Sequence, residues 1–354
     1  MSVLRLRVTN LRCLGSVDIE PGDNNLIVGE NASGKTSLLE AIFILGRGRS
    51  FRSAGRNGLI RDEQDSATVV GDVQRESGTG TIGVGLDRNR PMRIRAEGKD
   101  ASSAAVLASW LPVQVIDPGV HRLVDESPGV RRRYLDWGVF HVKHDFLEQW
   151  RRYHRVLRQR NAALKAGPRN RLAPWDDQLV AAAEAVTGAR EGYLEGLAPE
   201  VAAVGEALLG KRVTLRYRRG WAEGKTFGEA LQDATDRDRR LGVTHPGPHR
   251  ADVAIQFEDH AARGRVSRGQ QKLLAAGLIL GQLRHVHRES GIRSVLLLDD
   301  MAAELDAQRL GRFLAVVRDL DVQLFVTALT AAAVSLPEPQ RMFHVERGTV
   351  VQMV

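Results

Sequence analysis

The feature that most constrains this chain is the stretch Gly29–Thr36, which matches the pattern G-x-x-x-x-G-K-[ST]. A short apolar strand, Asn25–Val28, precedes it, and a helical pattern, Lys35–Leu45, follows it. In such a unit the glycines let the backbone wrap tightly, so that its N–H groups and the positive end of the helix face phosphate groups. The sequence therefore predicts a P-loop that binds ATP.

The residue types in this loop predict separate roles. Lys35 is expected to reach the β- and γ-phosphates, and the Thr36 hydroxyl is expected to bind Mg²⁺. The predicted nucleotide contacts of this segment are Gly29, Glu30, Asn31, Ala32, Ser33, Gly34, Lys35, Thr36 and Ser37.

A second candidate site follows the apolar strand Val295–Leu298, which ends in Asp299 and Asp300. In a parallel sheet these carboxylates lie at the carboxyl edge of the strands, where ligands bind. We expect Asp299 to bind Mg²⁺ directly or through water, and Asp300 to act as the general base for the attacking water. The alternative for Asp300 is the N-cap of the next helix, and the P-loop in the same chain favours the catalytic interpretation.

A third candidate is the segment Ser267-Arg268-Gly269-Gln270-Gln271, at the start of a predicted helix Gln270–Val286. Its serine hydroxyl, its flexible glycine and the helix N-terminus together can bind phosphate, with Ser267, Gly269 and Gln270 as the contacts. The alternative is a capped helix without a ligand.

Between these motifs the sequence changes character. Two helical patterns, His141–Leu164 and Trp175–Leu209, occupy the middle of the chain. The first is expected to stop at Gly167-Pro168 and the second to break or kink at Pro199. Gly220–Arg240 is predicted to be a charged loop. We therefore predict an α/β ATPase domain formed by residues 1–115 and 245–354, with an inserted helical lid or arm at 116–244.

The overall charge favours a polyanionic partner, because the formal net charge is +8 and the pI is about 10. Nucleic acid is the first candidate, since an arginine-rich face with Tyr153 and Tyr217 interspersed could contact backbone phosphates without reading sequence. The arginines form four clusters: Arg47/Arg49/Arg52/Arg56, Arg131–Arg133, Arg151/Arg152/Arg155/Arg158 and Arg212/Arg216/Arg218/Arg219. For each cluster, a helix face exposed to solvent is an equal alternative to a DNA contact. Arg47–Arg52 could instead reach the nucleotide.

A cytoplasmic setting is expected from three observations. The single cysteine, Cys13, rules out an internal disulfide, and no apolar run is long enough to span a membrane. The N-terminus alternates apolar and polar residues as a strand does and lacks the apolar core of a signal peptide.

The three motifs together resemble an ABC-type ATPase head, and within that class the chain resembles the RecF family of bacterial recombination-repair ATPases over essentially its whole length. Beyond the motifs, the resemblance is carried by Leu6–Arg12, Leu38–Ile42, Gly48–Arg52, Pro128–Asp136 and Gly247–Asp252, with Leu297–Asp306 at the acidic strand.

The resemblance implies a head like that of the SMC-like DNA repair proteins, in which two subunits enclose two ATP molecules. Ser267 of one subunit would contact the γ-phosphate held by Lys35 of the other, so that ATP dimerises the protein. It also implies binding to double-stranded DNA near gaps and, with RecR and RecO, loading of RecA onto single strands coated by SSB.

The chain departs from the transporter pattern at two positions. Asp300 replaces the usual Glu, which predicts slow hydrolysis suited to a switch, and Thr327 takes the position of the switch His. A further Mg²⁺-linked group is Gln114 or Asp117, and the sequence leaves both open. The alternative functions are the nucleotide-binding subunit of an ABC transporter and an ATP-gated DNA clamp in which turnover is incidental.

Overall fold

The computed structural model describes residues 1–52, 55, 57–167, 172–334, 336–337 and 340–353. Two of the residues singled out above, Arg56 and Pro168, lie outside this described part. The chain forms two compact units: unit 1 comprises Met1–Val120 and Gly291–Val354, and unit 2 comprises His121–Ser290.

The described residues in the first segment of unit 1 form eight strands and two α-helices. They are β1 (Ser2–Leu11), β2 (Leu14–Ile19), β3 (Asn24–Val28), α1 (Lys35–Arg47), β4 (Ser66–Arg75), β5 (Gly78–Asp87), β6 (Arg93–Ala96), β7 (Lys99–Ala101), α2 (Ala105–Trp110) and β8 (Val113–Ile116).

Unit 2 is mainly helical with one small sheet. Its elements are α3 (Arg122–Asp125), α4 (Pro128–Val142), α5 (Phe146–Lys165), α6 (Ala173–Leu209), β9 (Val213–Arg218), α7 (Phe227–Asp233), α8 (Thr235–Leu241), β10 (Asp252–Phe257), β11 (His260–Ala261) and α9 (Arg268–Ser290). The strands pair antiparallel in the order β11-β10-β9.

The second segment of unit 1 completes its sheets. It contains β12 (Ser294–Leu298), α10 (Met301–Glu304), α11 (Ala307–Arg318), β13 (Val322–Ala328), β14 (Gln340–Glu346) and β15 (Thr349–Gln352).

Unit 1 contains two six-stranded sheets. The first, in the order β2-β1-β4-β5-β6-β7, is antiparallel throughout. The second has the order β15-β14-β3-β13-β12-β8, and all its pairs are parallel except β14 with β15. Every residue of β12 and β13 is buried, as is typical of central parallel strands.

Helix α1 packs against strands of both sheets, including β1 and β4 of the first and β8 and β13 of the second. Its hydrophobic residues are buried around the whole circumference, because a helix between two sheets has no solvent face. The helix ends at Gly48, whose left-handed backbone (φ 63°) caps it by donating to the Ile44 carbonyl. This packing fixes the position of the helix N-terminus, which the P-loop precedes.

Three predictions for the middle of the chain differ from the structure. The pattern His141–Leu164 is divided, because α4 ends at Val142 and α5 begins at Phe146. Helix α6 continues through Pro199, so the predicted break is wrong; packing against α5, α9 and β9 holds the helix along its length. The predicted loop Gly220–Arg240 contains α7 and α8.

The compact unit also differs in extent from the predicted arm at 116–244. Unit 2 continues to Ser290 because β10 pairs with β9 and α9 packs against α6. Among the described residues, no helix is both long and apolar enough to cross a membrane.

Candidate nucleotide-binding site

The predicted P-loop joins β3 to α1 and contacts the β14–β15 hairpin. A Cβ atom on Gly29 would lie 2.2 Å from the Val345 carbonyl oxygen, so only glycine fits at this position. The Gly348 amide donates to the Ser33 carbonyl over 2.8 Å. Ala32 and Gly34 both have positive φ, at 63° and 121°. The loop therefore has a fixed, tightly wound backbone.

The Lys35 side chain folds back over this loop. Its Nζ donates to the Gly29 carbonyl at 2.7 Å and to the Glu30 carbonyl at 2.8 Å, and the residue is 5% exposed. These two hydrogen bonds therefore fix the Lys35 ammonium group against the backbone of the loop. A cation held there can pair with an anion that the loop binds.

The P-loop and the acidic strand meet through a hydroxyl and a carboxylate. Thr36 Oγ1 donates to Asp299 Oδ1 at 3.0 Å. Since β13 lies between β3 and β12 in the parallel sheet, the carboxyl ends of these strands share one edge. Two motifs that are far apart in sequence therefore form one site.

Thr327, at the end of β13, connects the two acidic residues. Its hydroxyl donates to Asp299 Oδ1 at 3.0 Å and accepts from the Asp300 amide at 2.8 Å. The sequence placed Thr327 only by analogy with the switch position of transporters. The structure brings it into direct contact with both Asp299 and Asp300.

Burial raises the pKa of Asp299, which is 5% exposed. The hydrogen bonds from Thr36 and Thr327 oppose this rise, whereas the charges of Asp300 and Asp117 add to it. Asp117, which follows β8, is therefore close enough to act on this carboxyl. Gln114, the other residue that the sequence left open, is buried within β8 opposite Leu296. A bound cation would offset the electrostatic cost of this acidic cluster.

Asp300 has left-handed backbone geometry, with φ 52°. It occupies the N-cap position of α10, yet its side chain makes no capping hydrogen bond. The residue lines a cavity in front of the P-loop. Asp300 therefore stands at the N-cap position, as the alternative interpretation expects, but its carboxylate does not cap the helix.

This cavity has a volume of about 1040 Å³. Seven of the predicted site residues line it: Asn31, Ala32, Gly34, Lys35, Thr36, Ser37 and Asp300. Four arginines add positive charge to the wall: Arg12, Arg52, Arg61 and Arg347. Among the arginines, the sequence indicated only those of Arg47–Arg52 as possible nucleotide contacts. Of these, Arg52 lines the cavity, whereas Arg47 lies over the Phe43 ring, and burial lowers its pKa to about 9.

The remaining predicted contacts belong to unit 2. Ser267, Gly269 and Gln270 are exposed at the start of α9. The Ser267 amide donates to Gln270 Oε1 at 2.9 Å, and the Gln270 amide approaches Ser267 Oγ at 3.4 Å. These reciprocal contacts form the helix cap that is the alternative for this motif. They leave the segment accessible at the surface of unit 2.

Comparisons with known proteins agree over the whole chain. Residues 2–350 match the family model described as RecF/RecN/SMC N terminal domain. The DNA replication and repair protein RecF of Cellvibrio japonicus is 42% identical over 99% of both chains. That of Stutzerimonas stutzeri is 39% identical over 100% of this chain and 98% of its own.

Solved structures show the same relationship. A structure described as the recombination mediator protein RecF-ATP in the RecFOR pathway matches with a TM-score of 0.89 and 25% identity, covering 99% of this chain and 97% of that one. A structure of an Smc head bound to the C-winged helix domain of ScpA matches with a TM-score of 0.59 and 14% identity, covering 100% of this chain and 98% of that one. At this identity the match shows a shared fold. These findings confirm the predicted ATPase-head fold and give the transporter alternative no support. The chain belongs to the RecF family of DNA replication and repair proteins.

Proposed function

We propose that this chain is an ATP-dependent DNA-binding protein of recombinational repair and replication restart, in which ATP binding closes two copies on DNA. ATP would occupy the cavity in front of Gly29–Ser37, with Lys35 on the β- and γ-phosphates. The relative described as RecF-ATP supports ATP as the nucleotide.

The observation that carries this proposal is the hydrogen bond between Thr36 and Asp299 at 3.0 Å. A hydroxyl and a carboxylate are hard oxygen donors, and Mg²⁺ is usually bound by one or two such groups together with phosphates and waters. Thr36 and Asp299 would therefore hold Mg²⁺ beside the phosphates. The raised pKa of Asp299 fits this assignment, since the metal would supply the missing positive charge.

Hydrolysis would use Asp300 as the general base. Asp300 faces the cavity, and Thr327 Oγ1 lies 3.4 Å from its Oδ1. The Asp300 amide donates to Thr327 Oγ1 at 2.8 Å, and this hydrogen bond holds Asp300 beside the cavity where the attacking water would be bound. Because the Asp side chain is shorter than the Glu of transporters, we infer slow hydrolysis that acts as a switch.

Dimerisation would complete the site. The exposed Ser267, Gly269 and Gln270 of one copy would contact the γ-phosphate held by Lys35 of the other. For the domain division we propose that the head comprises residues 1–115 and 245–354, which includes this segment, and that the arm comprises 116–244.

The biological setting follows from the family. We propose that the protein acts in the cytoplasm on double-stranded DNA next to gaps. Its relatives are described within the RecFOR pathway, which supports RecR and RecO as partners. By family resemblance, the outcome would be loading of RecA onto SSB-coated single strands.

Sedimentation velocity of the wild-type protein and of Asp300→Asn tests the switch. We expect monomers without nucleotide or with ADP, and dimers with ATP and Mg²⁺. The wild-type dimer should decay as ATP is consumed, whereas the Asp300→Asn dimer should persist, because loss of a general base slows hydrolysis roughly 10²–10⁴-fold.

Two results would contradict the proposal in different ways. A monomer under all conditions would refute ATP-driven dimerisation. Equal hydrolysis rates for the two proteins would show that Asp300 is not the base. A stable dimer whose ATP turnover has no effect on DNA release would favour the ATP-gated clamp.

A further inference from the structure

The four arginine clusters differ in their contacts within the protein. Arg131 is 4% exposed and pairs with Asp252 at 2.7 Å, while Arg132 donates to the Ala251 carbonyl. Arg216 pairs with Glu223 at 2.8 Å, and Arg219 pairs with Glu191 at 2.6 Å. These arginines already have partners within unit 2.

Of the three clusters in unit 2, helix α5 carries the one in which no arginine pairs with an acid within the described residues. Its arginines Arg151, Arg152, Arg155 and Arg158 are all exposed. No acidic partner contacts any of the four in the described part of the chain, not even Glu148, which lies one turn before Arg151. We call these four residues the α5 arginine face.

The spacing of the α5 arginine face makes it electrostatically unfavourable without a ligand. Arg151 and Arg155 are four residues apart, and Arg155 and Arg158 are three apart, so each pair lies on the same side of the helix. Like charges at these spacings destabilise a helix. The cost is not offset by an acid of the same helix, since Glu148 is the one acidic residue within Phe146–Lys165.

The opposite side of α5 is packed, so the face cannot turn inwards. Tyr153, Val156, Leu157 and Arg160 are buried. The Tyr153 hydroxyl contacts His249 Nδ1 at 2.6 Å, and Arg160 pairs with Asp176 and Asp238 at 2.7 Å each. The sequence-based expectation that Tyr153 shares a DNA-binding surface with the arginines is therefore wrong, because its ring is 1% exposed.

We propose that the α5 arginine face binds the phosphate backbone of double-stranded DNA. The proposal rests on the DNA-binding function proposed above and assigns a surface to it. A duplex carries one negative charge for about every 1.7 Å of its axis, so a row of arginines along one helix can neutralise several phosphates at once. The contacts would position the protein without reading sequence, because guanidinium–phosphate pairs carry no base information.

The test compares two double variants with the same change in charge. Arg151→Gln/Arg155→Gln alters the α5 arginine face, and Arg216→Gln/Arg219→Gln removes two exposed arginines that pair with acids. Binding of each protein to a blunt duplex of random sequence is measured with ATP and Mg²⁺ across a range of salt concentrations. For the wild type the logarithm of the association constant should fall linearly with the logarithm of salt.

We expect the α5 variant to bind at least about tenfold more weakly at roughly 0.1 M salt and to lower the salt slope by about 0.9 for each lost phosphate contact. The Arg216→Gln/Arg219→Gln control should keep the wild-type affinity and slope. Both variants should bind ATP and dimerise as the wild type does, since their substitutions lie on exposed side chains of unit 2.

Each contrary result has a distinct meaning. A wild-type slope for the α5 variant would overturn the inference, and so would an equal loss in the control variant, which would indicate a general charge effect. Loss of partner-protein binding with unchanged DNA binding would also overturn it, since the face would then dock protein. If the wild type fails to bind duplex DNA in any nucleotide state, the proposed function itself fails.

Discussion

His249 is held in its neutral form by its neighbours in unit 2. Its Nε2 lies 3.0 Å from the Thr244 carbonyl, which can only accept, so Nε2 carries the proton and Nδ1 accepts from the Tyr153 hydroxyl at 2.6 Å. Burial, together with the charges of Arg250, His154 and Arg132, lowers the pKa of His249 to about 4. The Thr244 hydrogen bond opposes this shift.

This low pKa predicts that unit 2 loses stability in mild acid. Below about pH 6.5 the unfolded chain takes up a proton at this histidine, whereas the folded protein does so only near pH 4. The free energy of unfolding should therefore fall by about 2 kcal/mol between about pH 7.5 and 5 from this group. Urea unfolding followed by tryptophan fluorescence measures it, since Trp137, Trp150, Trp175 and Trp221 all lie in unit 2.

His249→Gln provides the control, because glutamine does not titrate. Its unfolding free energy should change less over the same pH interval, whatever its stability at neutral pH. Identical pH dependence in the two proteins would contradict the assignment of a neutral, buried His249.

At the residue scale, the sequence predicted which groups form the site but not all their contacts. The parallel-strand pattern placed Asp299 at the carboxyl edge of the sheet, and in the structure Thr36 donates to it there. Thr327 was identified only by analogy with the switch position of transporters. No local sequence pattern indicates that its hydroxyl lies between Asp299 and Asp300. Arg61 and Arg347 were missed, because turns with no motif of their own bring them to the cavity.

At the scale of the element, Gly46 lets α1 approach β8 closely. An added Cβ would lie 2.5 Å from the Leu111 carbonyl oxygen and 2.6 Å from Val113 Cγ1. Alanine gains up to about 1 kcal/mol of helix propensity over glycine, whereas overpacking a core costs about 1–3 kcal/mol. We expect Gly46→Ala to destabilise unit 1, as measured by urea unfolding followed by circular dichroism.

Gly311→Ala in α11 is the matched control within unit 1. No atom of the described residues lies within 4 Å of a Cβ built on Gly311, so this variant should be more stable by about 0.5–1 kcal/mol. An equal gain from both substitutions would show that α1 can move away from β8.

The elements that the sequence predicted best are those marked by a continuous apolar run or by a helical pattern next to a motif. The run Val295–Leu298 in β12 and the helix after the P-loop are examples. We predicted a loop in place of α7 because the segment is rich in charged residues. The start of the helix is marked by a capping box, in which Thr226 and Glu229 exchange hydrogen bonds. The burial of Phe227 and Leu231 completes that helix, and only tertiary packing reveals it.

At the scale of the whole molecule, the two units are built differently along the chain. Unit 2 is one continuous segment, whereas unit 1 combines two segments. In unit 1, β3 from the first segment lies between β13 and β14 from the second. The Val3 amide also donates to Gln323 Oε1 at 2.7 Å, so the antiparallel sheet depends on the second segment too. The sequence could not show this, because strand partners are fixed by packing rather than by local pattern.

These connections predict that the segments differ in their ability to fold alone. The segment His121–Ser290 contains its own sheet and the packed helices α4, α5, α6 and α9, and a domain of about that size buries roughly 70% of its unfolded surface. Expressed alone, it should give helical circular dichroism and a single cooperative urea transition. Residues 1–120 alone should not, because β3 would lack both of its neighbours, and mixing them with residues 291–354 should restore sheet structure. Cooperative folding of residues 1–120 without the second segment would contradict this account, as would a non-cooperative transition of His121–Ser290.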